Sequence, residues 1–188
     1  LTSDGQAVQD SADIIDHVDS HAPRLSAHPK TPLQEFVSRI VELYADEWLA
    51  IVGMHYRWTY NDAWMVGEFG RIAAPNATPE EQAGIGEVLA APAREQASRH
   101  GASEDTASGI EAHYEGFLGD FSEHLRRHDF VLGGRPSLAD FALYGVLQAV
   151  LLRDPDSGAH MRRLAPLVVA WIGRVEAARA GEGDLLGG

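Results

Sequence analysis

The chain contains no cysteine. Disulfides, thiolate metal sites and a cysteine nucleophile are therefore excluded within it, and no redox compartment can be assigned from thiol usage. Long apolar runs are also missing: none approaches the roughly 18 residues that a membrane-spanning helix needs, and no signal-like N-terminus stands at the start. Cations are few. Fifteen Lys and Arg face 28 Asp and Glu, a formal net charge of −13. An acidic surface repels nucleic acid and anionic membranes, so neither is expected as a partner, and the cytoplasm is the default location. There is no HExxH pattern, no Gly-rich phosphate loop, and no Ser-His-Asp constellation that spacing supports. Internal repeats and low-complexity blocks are absent.

What is present is helix punctuation. At 188 residues and 45% hydrophobic, the chain suits one domain, or one domain and a fragment of another. Ser3-Asp4-Gly5 is a two-residue hairpin signal between short extended pieces. A short helix follows to about Ser20, capped by Asp10 or Ser11 and striped by Ile14, Ile15 and Val18. Residues 21–30 hold two prolines and no periodicity, which predicts a linker. Thr31-Pro32-Leu33-Gln34 has the form of a capping box with proline at N1. The helix it opens carries Leu33, Phe36, Val37, Ile40, Val41, Tyr44, Trp48 and Val52 on its expected core face. Gly53 to Ala74 is crowded with aromatics at poor periodicity, predicting a bent or irregular segment with a helical piece near 61–72. Thr78-Pro79-Glu80-Glu81 is a further capping box; its helix is weakened by Gly84 and Gly86, interrupted at Pro92 and ended by Gly101. A long helix is predicted from Ser103 to Arg127, with Ile110, Tyr114, Phe117, Leu118, Phe121 and Leu125 as core face and Gly109, Gly116 and Gly119 open to close helix approach. Asp154 to Gly158 reads as a turn, Pro166 to Ala180 as a final helix, and Gly181 to Gly188 as a loose tail.

The strongest start signal lies in Phe130 to Gly145. Ser137 and Asp140 form a capping box, with Pro136 and Phe141 placed as a hydrophobic staple. Apolar residues then cover nearly the whole circumference, the mark of a buried central helix.

Three groups of residues could carry chemistry. Asp10 and Ser11 stand at a helix N-terminus, where a hydroxyl and backbone N–H groups hold a small anion and the carboxylate holds an ammonium; plain N-capping is the alternative. Met54, Tyr56, Trp58, Tyr60 and Trp64, with Arg57 or His55 as a polar handle, could line an apolar pocket, or else pack a core or a dimer contact. His17 and His21, and His124 and His128, share helix faces at a spacing of four. Two ligands without a third do not make a metal site, so these histidines are read as solvated, and no metal is expected.

Leu132-Gly133-Gly134-Arg135-Pro136-Ser137-Leu138-Ala139-Asp140 resembles the segment that opens the central helix of the C-terminal domain in glutathione S-transferases. Pro166, Trp171, Ile172 and Arg174 are similar to that family's final-helix pattern. Asp4 to Ile15 resembles the end of its thioredoxin-like domain. The resemblance implies a mainly all-α fold: a glutathione S-transferase C-terminal-like helical bundle, preceded by a remnant (strand and helix) of a thioredoxin-like α/β domain. It implies residues 1–22 as the end of that domain, 23–30 as linker, 31–182 as the helical domain and 183–188 as tail. It further implies glutathione as co-substrate, its γ-glutamyl end held by Asp10 and Ser11. Met54, Tyr56, Arg57, Trp58 and Tyr60 would then wall the site of an electrophilic small molecule. A homodimer is expected, with a thiol-activating residue upstream of Leu1, so that this stretch alone is inactive. A non-catalytic dimerisation or partner-binding module is the alternative.

Overall fold

The computed structural model describes residues 5, 7–9, 11–23, 26–179 and 182–186. It is helical throughout its ordered elements: α1 (Ser11–His21), α2 (Pro32–Leu43), α3 (Ala50–Tyr60), α4 (Asp62–Ala73), α5 (Pro79–Arg99), α6 (Glu104–Leu125), α7 (Leu138–Val146), α8 (Pro155–Leu164) and α9 (Pro166–Ala177). Two π-helical turns, Tyr44–Leu49 and Leu147–Leu152, continue α2 into α3 and extend α7. No strand occurs among the described residues; the predicted N-terminal hairpin falls largely outside them, and residues 7–9 are irregular.

Local signals explain most helix starts. Thr78 and Glu81 close their capping box in both directions, with the Thr78 N–H donating to Glu81 Oε2 at 2.9 Å. Ser137 and Asp140 do the same at the entrance of α7. Thr31 caps the Gln34 N–H at 3.3 Å, but Gln34 does not reciprocate. Its amide instead donates to the Leu186 carbonyl, and the tail, predicted loose, is held. Leu186 N–H donates to Leu132 O, and Gly134 N–H to Asp184 O, both at 2.8 Å. Gly133 makes that pairing possible: its φ of +128° suits glycine alone, and a Cβ there would sit 2.9 Å from the Leu186 nitrogen.

Several elements depart from expectation. The predicted irregular segment is helix through Tyr60, a single break at Asn61, and helix again. Its apolar residues lack one period because α3 is packed on two sides, and the preceding π turn shifts the phase of the pattern. The expected core face opened by α2 is only half right: Val41 and Tyr44 pack against the core and Val52 is buried, but Leu33, Phe36, Ile40 and Trp48 are exposed, as is Leu43, while Gln34 and Ser38 are buried. The stripe of Leu33, Phe36, Ile40 and Leu43 has no partner among the described residues. The helix α5 runs straight past Pro92, since the carbonyl that loses its donor belongs to exposed Val88, where water can satisfy it. Asp154 to Gly158, read as a turn, instead opens α8, with Pro155 at its first position. The α7 helix is not buried all round: Leu143, Leu147 and Leu151 face the core, but Phe141 is exposed rather than stapled.

The α4–α5 hairpin is antiparallel and unusually close. A Cβ on Gly70 would lie 1.9 Å from the Gln82 carbonyl oxygen, and one on Gly86 would lie 2.1 Å from that of Val66. The other helices surround a core of Leu49, Val52, Tyr114, Leu118, Leu147, Met161 and Trp171. Gly109, Gly116 and Gly119 of α6, expected to admit a neighbouring helix, face open space.

Candidate functional site

The π turns lie beside one cavity. It has a volume of about 450 Å³ and is bounded by α3, α5, the end of α7 and both π turns. A π turn widens the local helix and is enriched where side chains must be re-aimed toward a site. Here the first contributes Ala45 and Asp46, and the second Val150. From α3 come Gly53, Met54, Arg57 and Trp58, and from α4 Phe69. Trp58 and Phe69 form a tilted aromatic pair with centroids 6.1 Å apart. The lining is apolar apart from Asp46, Arg57 and Gln96.

Arg57 is held rigidly. Its Nε donates to Asp154 Oδ2 at 2.7 Å and its Nη2 to Asp154 Oδ1 at 2.9 Å. Asp154 is 1% exposed. A bidentate pair in that setting fixes the guanidinium plane; Nη1 makes no hydrogen bond among the described residues and is a donor at the cavity wall. Asn61 completes the support: its Nδ2 donates to the Tyr56 carbonyl and its Oδ1 accepts from the Asp156 N–H, tying the α3–α4 break to the start of α8.

The opposite side of α3 carries a second polar cluster. His55 is buried, and its Nε2 lies 2.9 Å from Glu111 Oε1. Tyr60 donates to the same oxygen at 2.6 Å. These two bonds, the Tyr60 one first, hold the Glu111 carboxyl below its ordinary range. Tyr56 packs among Tyr114, Tyr60 and His160, and burial pushes its phenol well above the ordinary tyrosine value.

Of the predicted acceptor-site residues, Met54, Arg57 and Trp58 therefore share the cavity. Tyr56 and Tyr60 lie behind it, against α6. Asp10 lies outside the described residues; Ser11 opens α1, but its side chain is not described. Asp46, Phe69, Gln96, Val146 and Val150 were not foreseen. Phe69 alone had a signal, the aromatic crowding near Trp58 and Trp64. The pairing of Arg57 with Asp154, 97 residues apart, has no local signature. Among the described residues, no group of three His, Asp or Glu gathers as a metal site. His17 and His21 make a tilted ring contact with each other, as do His124 and His128. No described helix is long and apolar enough to cross a membrane.

Residues 89–174 match the model of the glutathione S-transferase C-terminal domain. That span is a little under half of the chain, and over it the chain resembles this domain. Its fold agrees: the crystal structure of the beta-etherase LigF from Sphingobium sp. strain SYK-6 superposes with a TM-score of 0.63, covering 93% of this chain and 72% of that one. At 19% identity this likeness is one of fold. No curated protein sequence matches significantly. Within the span matched to the glutathione S-transferase domain fall Ser137, Asp140, Trp171 and Arg174. Asp140 is the hub of that part: it accepts from the Val131 and Ser137 N–H groups, the Ser137 hydroxyl and Trp171 Nε1, all at 2.9–3.0 Å. The glutathione S-transferase match thus rests on residues that build the bundle. The whole of the cavity's α3 and α4 wall precedes it.

Proposed function

We propose that the chain is the greater part of a glutathione S-transferase-like enzyme, in which a glutathione thiolate attacks an electrophilic small molecule. A carbon–sulfur bond forms and the displaced group leaves with its electron pair. The observation that carries this reading is the apolar cavity of about 450 Å³ with a clamped guanidinium in its wall, in a chain whose residues 89–174 match this family's C-terminal domain. Met54, Trp58 and Phe69 would hold the acceptor by area and shape, and Arg57 would orient it through Nη1. Tyr56 and Tyr60 brace that wall from behind. Asp10 and Ser11 would hold the γ-glutamyl head of glutathione. In support, α1 begins at Ser11, so its first backbone N–H groups stand at a helix N-terminus. Residues 1–22 would be the end of a thioredoxin-like domain, 23–30 the linker, 31–182 the helical domain and 183–188 the tail, with the thiol-activating group upstream. A cytoplasmic homodimer completes the reading.

The exposed apolar stripe of α2, Leu33, Phe36, Ile40 and Leu43, favours a second reading, a non-catalytic module that docks partners. The full-length protein should be retained on immobilised glutathione and eluted by free glutathione, and Ser11→Ala should weaken retention. Unchanged retention of Ser11→Ala would remove Ser11 from the site. No retention of the parent protein would leave the docking module as the function.

A further inference from the structure

A smaller cavity, of about 230 Å³, adjoins the first. Met54 and Trp58 line both and form the partition between them. Ala97 of α5 and Ala102 and Ala107 beside and within α6 make much of the remaining lining apolar. His55 and Thr59, one helical turn apart, form one polar edge, and Ser98 and Ser103 add hydroxyls elsewhere in the lining.

The imidazole there has a defined orientation. Glu111 is an acceptor, so the ring nitrogen facing it, Nε2, carries a proton. In the neutral imidazole the other nitrogen, Nδ1, is a lone-pair acceptor. Its neighbour is the Thr59 hydroxyl at 3.4 Å, at the long limit for a hydrogen bond from a hydroxyl. His55 and Thr59 both line the cavity. The result is a buried, carboxylate-oriented imidazole whose Nδ1, in the neutral ring, is a weakly engaged acceptor beside a space of single-ring size with mixed apolar and polar walls.

Charge at this site disfavours anions. Arg94, which also lines the cavity, is committed to ion pairs with Asp62 and Glu87 and lies over the Trp58 ring at 5.6 Å. Glu104 adds a carboxylate. A neutral ligand that donates one hydrogen bond fits, with its ring against Trp58 and the alanines.

We propose that this second cavity binds a small phenol, whose hydroxyl donates to His55 Nδ1. The inference is independent of glutathione binding. The probe is 4-nitrophenol, titrated into the full chain while its visible absorption is followed, with 4-nitroanisole as the partner that lacks the O–H. 4-Nitrophenol should bind about fivefold tighter, the magnitude of one ordinary net hydrogen bond, and its band should shift toward that of the phenolate. His55→Leu should abolish both the preference and the shift. Ala107→Leu, which fills this cavity without altering the imidazole, should weaken 4-nitrophenol binding and remove the shift even if His55→Leu fails to fold. Val146→Phe, which alters only the larger cavity, should leave preference and shift intact. Equal binding of the two probes by the parent chain overturns the proposal. So does a preference that survives His55→Leu, or one lost in Val146→Phe but kept in Ala107→Leu.

Discussion

Arg57 and Asp154 illustrate how much depends on single buried charges. The carboxylate is inaccessible, and the guanidinium compensates its lost hydration with two charge-assisted bonds. Removing one partner leaves the other unpaired, which is worse than having neither. Arg57→Met should therefore destabilise the fold by about 3 kcal/mol, and adding Asp154→Asn should recover part of the loss. Urea unfolding of the single and double variants checks this; a double variant weaker than Arg57→Met alone would refute it. Glu111 gives a pH-dependent counterpart. Its folded-state pKa is lowered by Tyr60 and His55, so the folded state binds fewer protons than the unfolded chain in that range. The resulting stability is present above the ordinary carboxylate value of 4.5 and is lost as pH falls below it toward the folded value. In Tyr60→Phe this contribution shrinks. The stability gap between parent and variant should thus narrow as pH falls through the acid range, and a gap that widens would contradict the assignment.

Among elements, glycines that look alike in sequence differ in consequence. Gly70 and Gly86 allow α4 and α5 to cross at backbone contact, whereas Gly116 meets nothing within 4 Å. Gly70→Ala should separate the hairpin that supplies Phe69 and Ala93 to the cavity, with a cost of about 2–3 kcal/mol. Gly116→Ala, exposed in mid-helix, should stabilise by up to about 1 kcal/mol. Thermal unfolding of both variants tests the pair, and effects of the same sign would defeat the distinction. Sequence alone could not have separated them, because helix propensity penalises both positions equally. Only the neighbour across the hairpin differs. Pro92 shows the same limit: it was read as a break, but its cost depends on whether the freed carbonyl is wet.

For the molecule as a whole, the surplus of acidic groups is the dominant electrostatic fact. A formal charge of −13 on 188 residues favours expansion by self-repulsion, which added salt screens. Many of the ion pairs are exposed, Arg99 with Glu95 and Arg71 with Glu68 among them, and exposed pairs contribute little. Raising sodium chloride from low concentration toward about 0.5 M, where the Debye length falls to a few ångströms, should increase the melting temperature. A decrease would show that ion pairs outweigh net repulsion.

The sequence by itself determined the helical class, most of the helix starts and the likeness of residues 89–174 to a glutathione S-transferase C-terminal domain. Those rest on contacts between residues three or four apart, such as Thr78 with Glu81 and Ser137 with Asp140, and on motifs read without knowing what lies across the core. Tertiary structure decided what the aromatic stretch does. Two π turns and the rigid seating of α3 sent Met54, Arg57 and Trp58 into one cavity and His55, Tyr56 and Tyr60 against α6. It also joined Arg57 to Asp154 and folded the tail back onto Gln34, Leu132 and Gly134. These pairings span up to 152 residues. Their energy comes from burial and from partners that no local pattern encodes, so they become legible only when the chain has closed on itself. The capping box of Ser137 and Asp140 was legible as a helix start. That its carboxylate also receives the Trp171 indole, 31 residues on, was settled by the packing of α7 against α9.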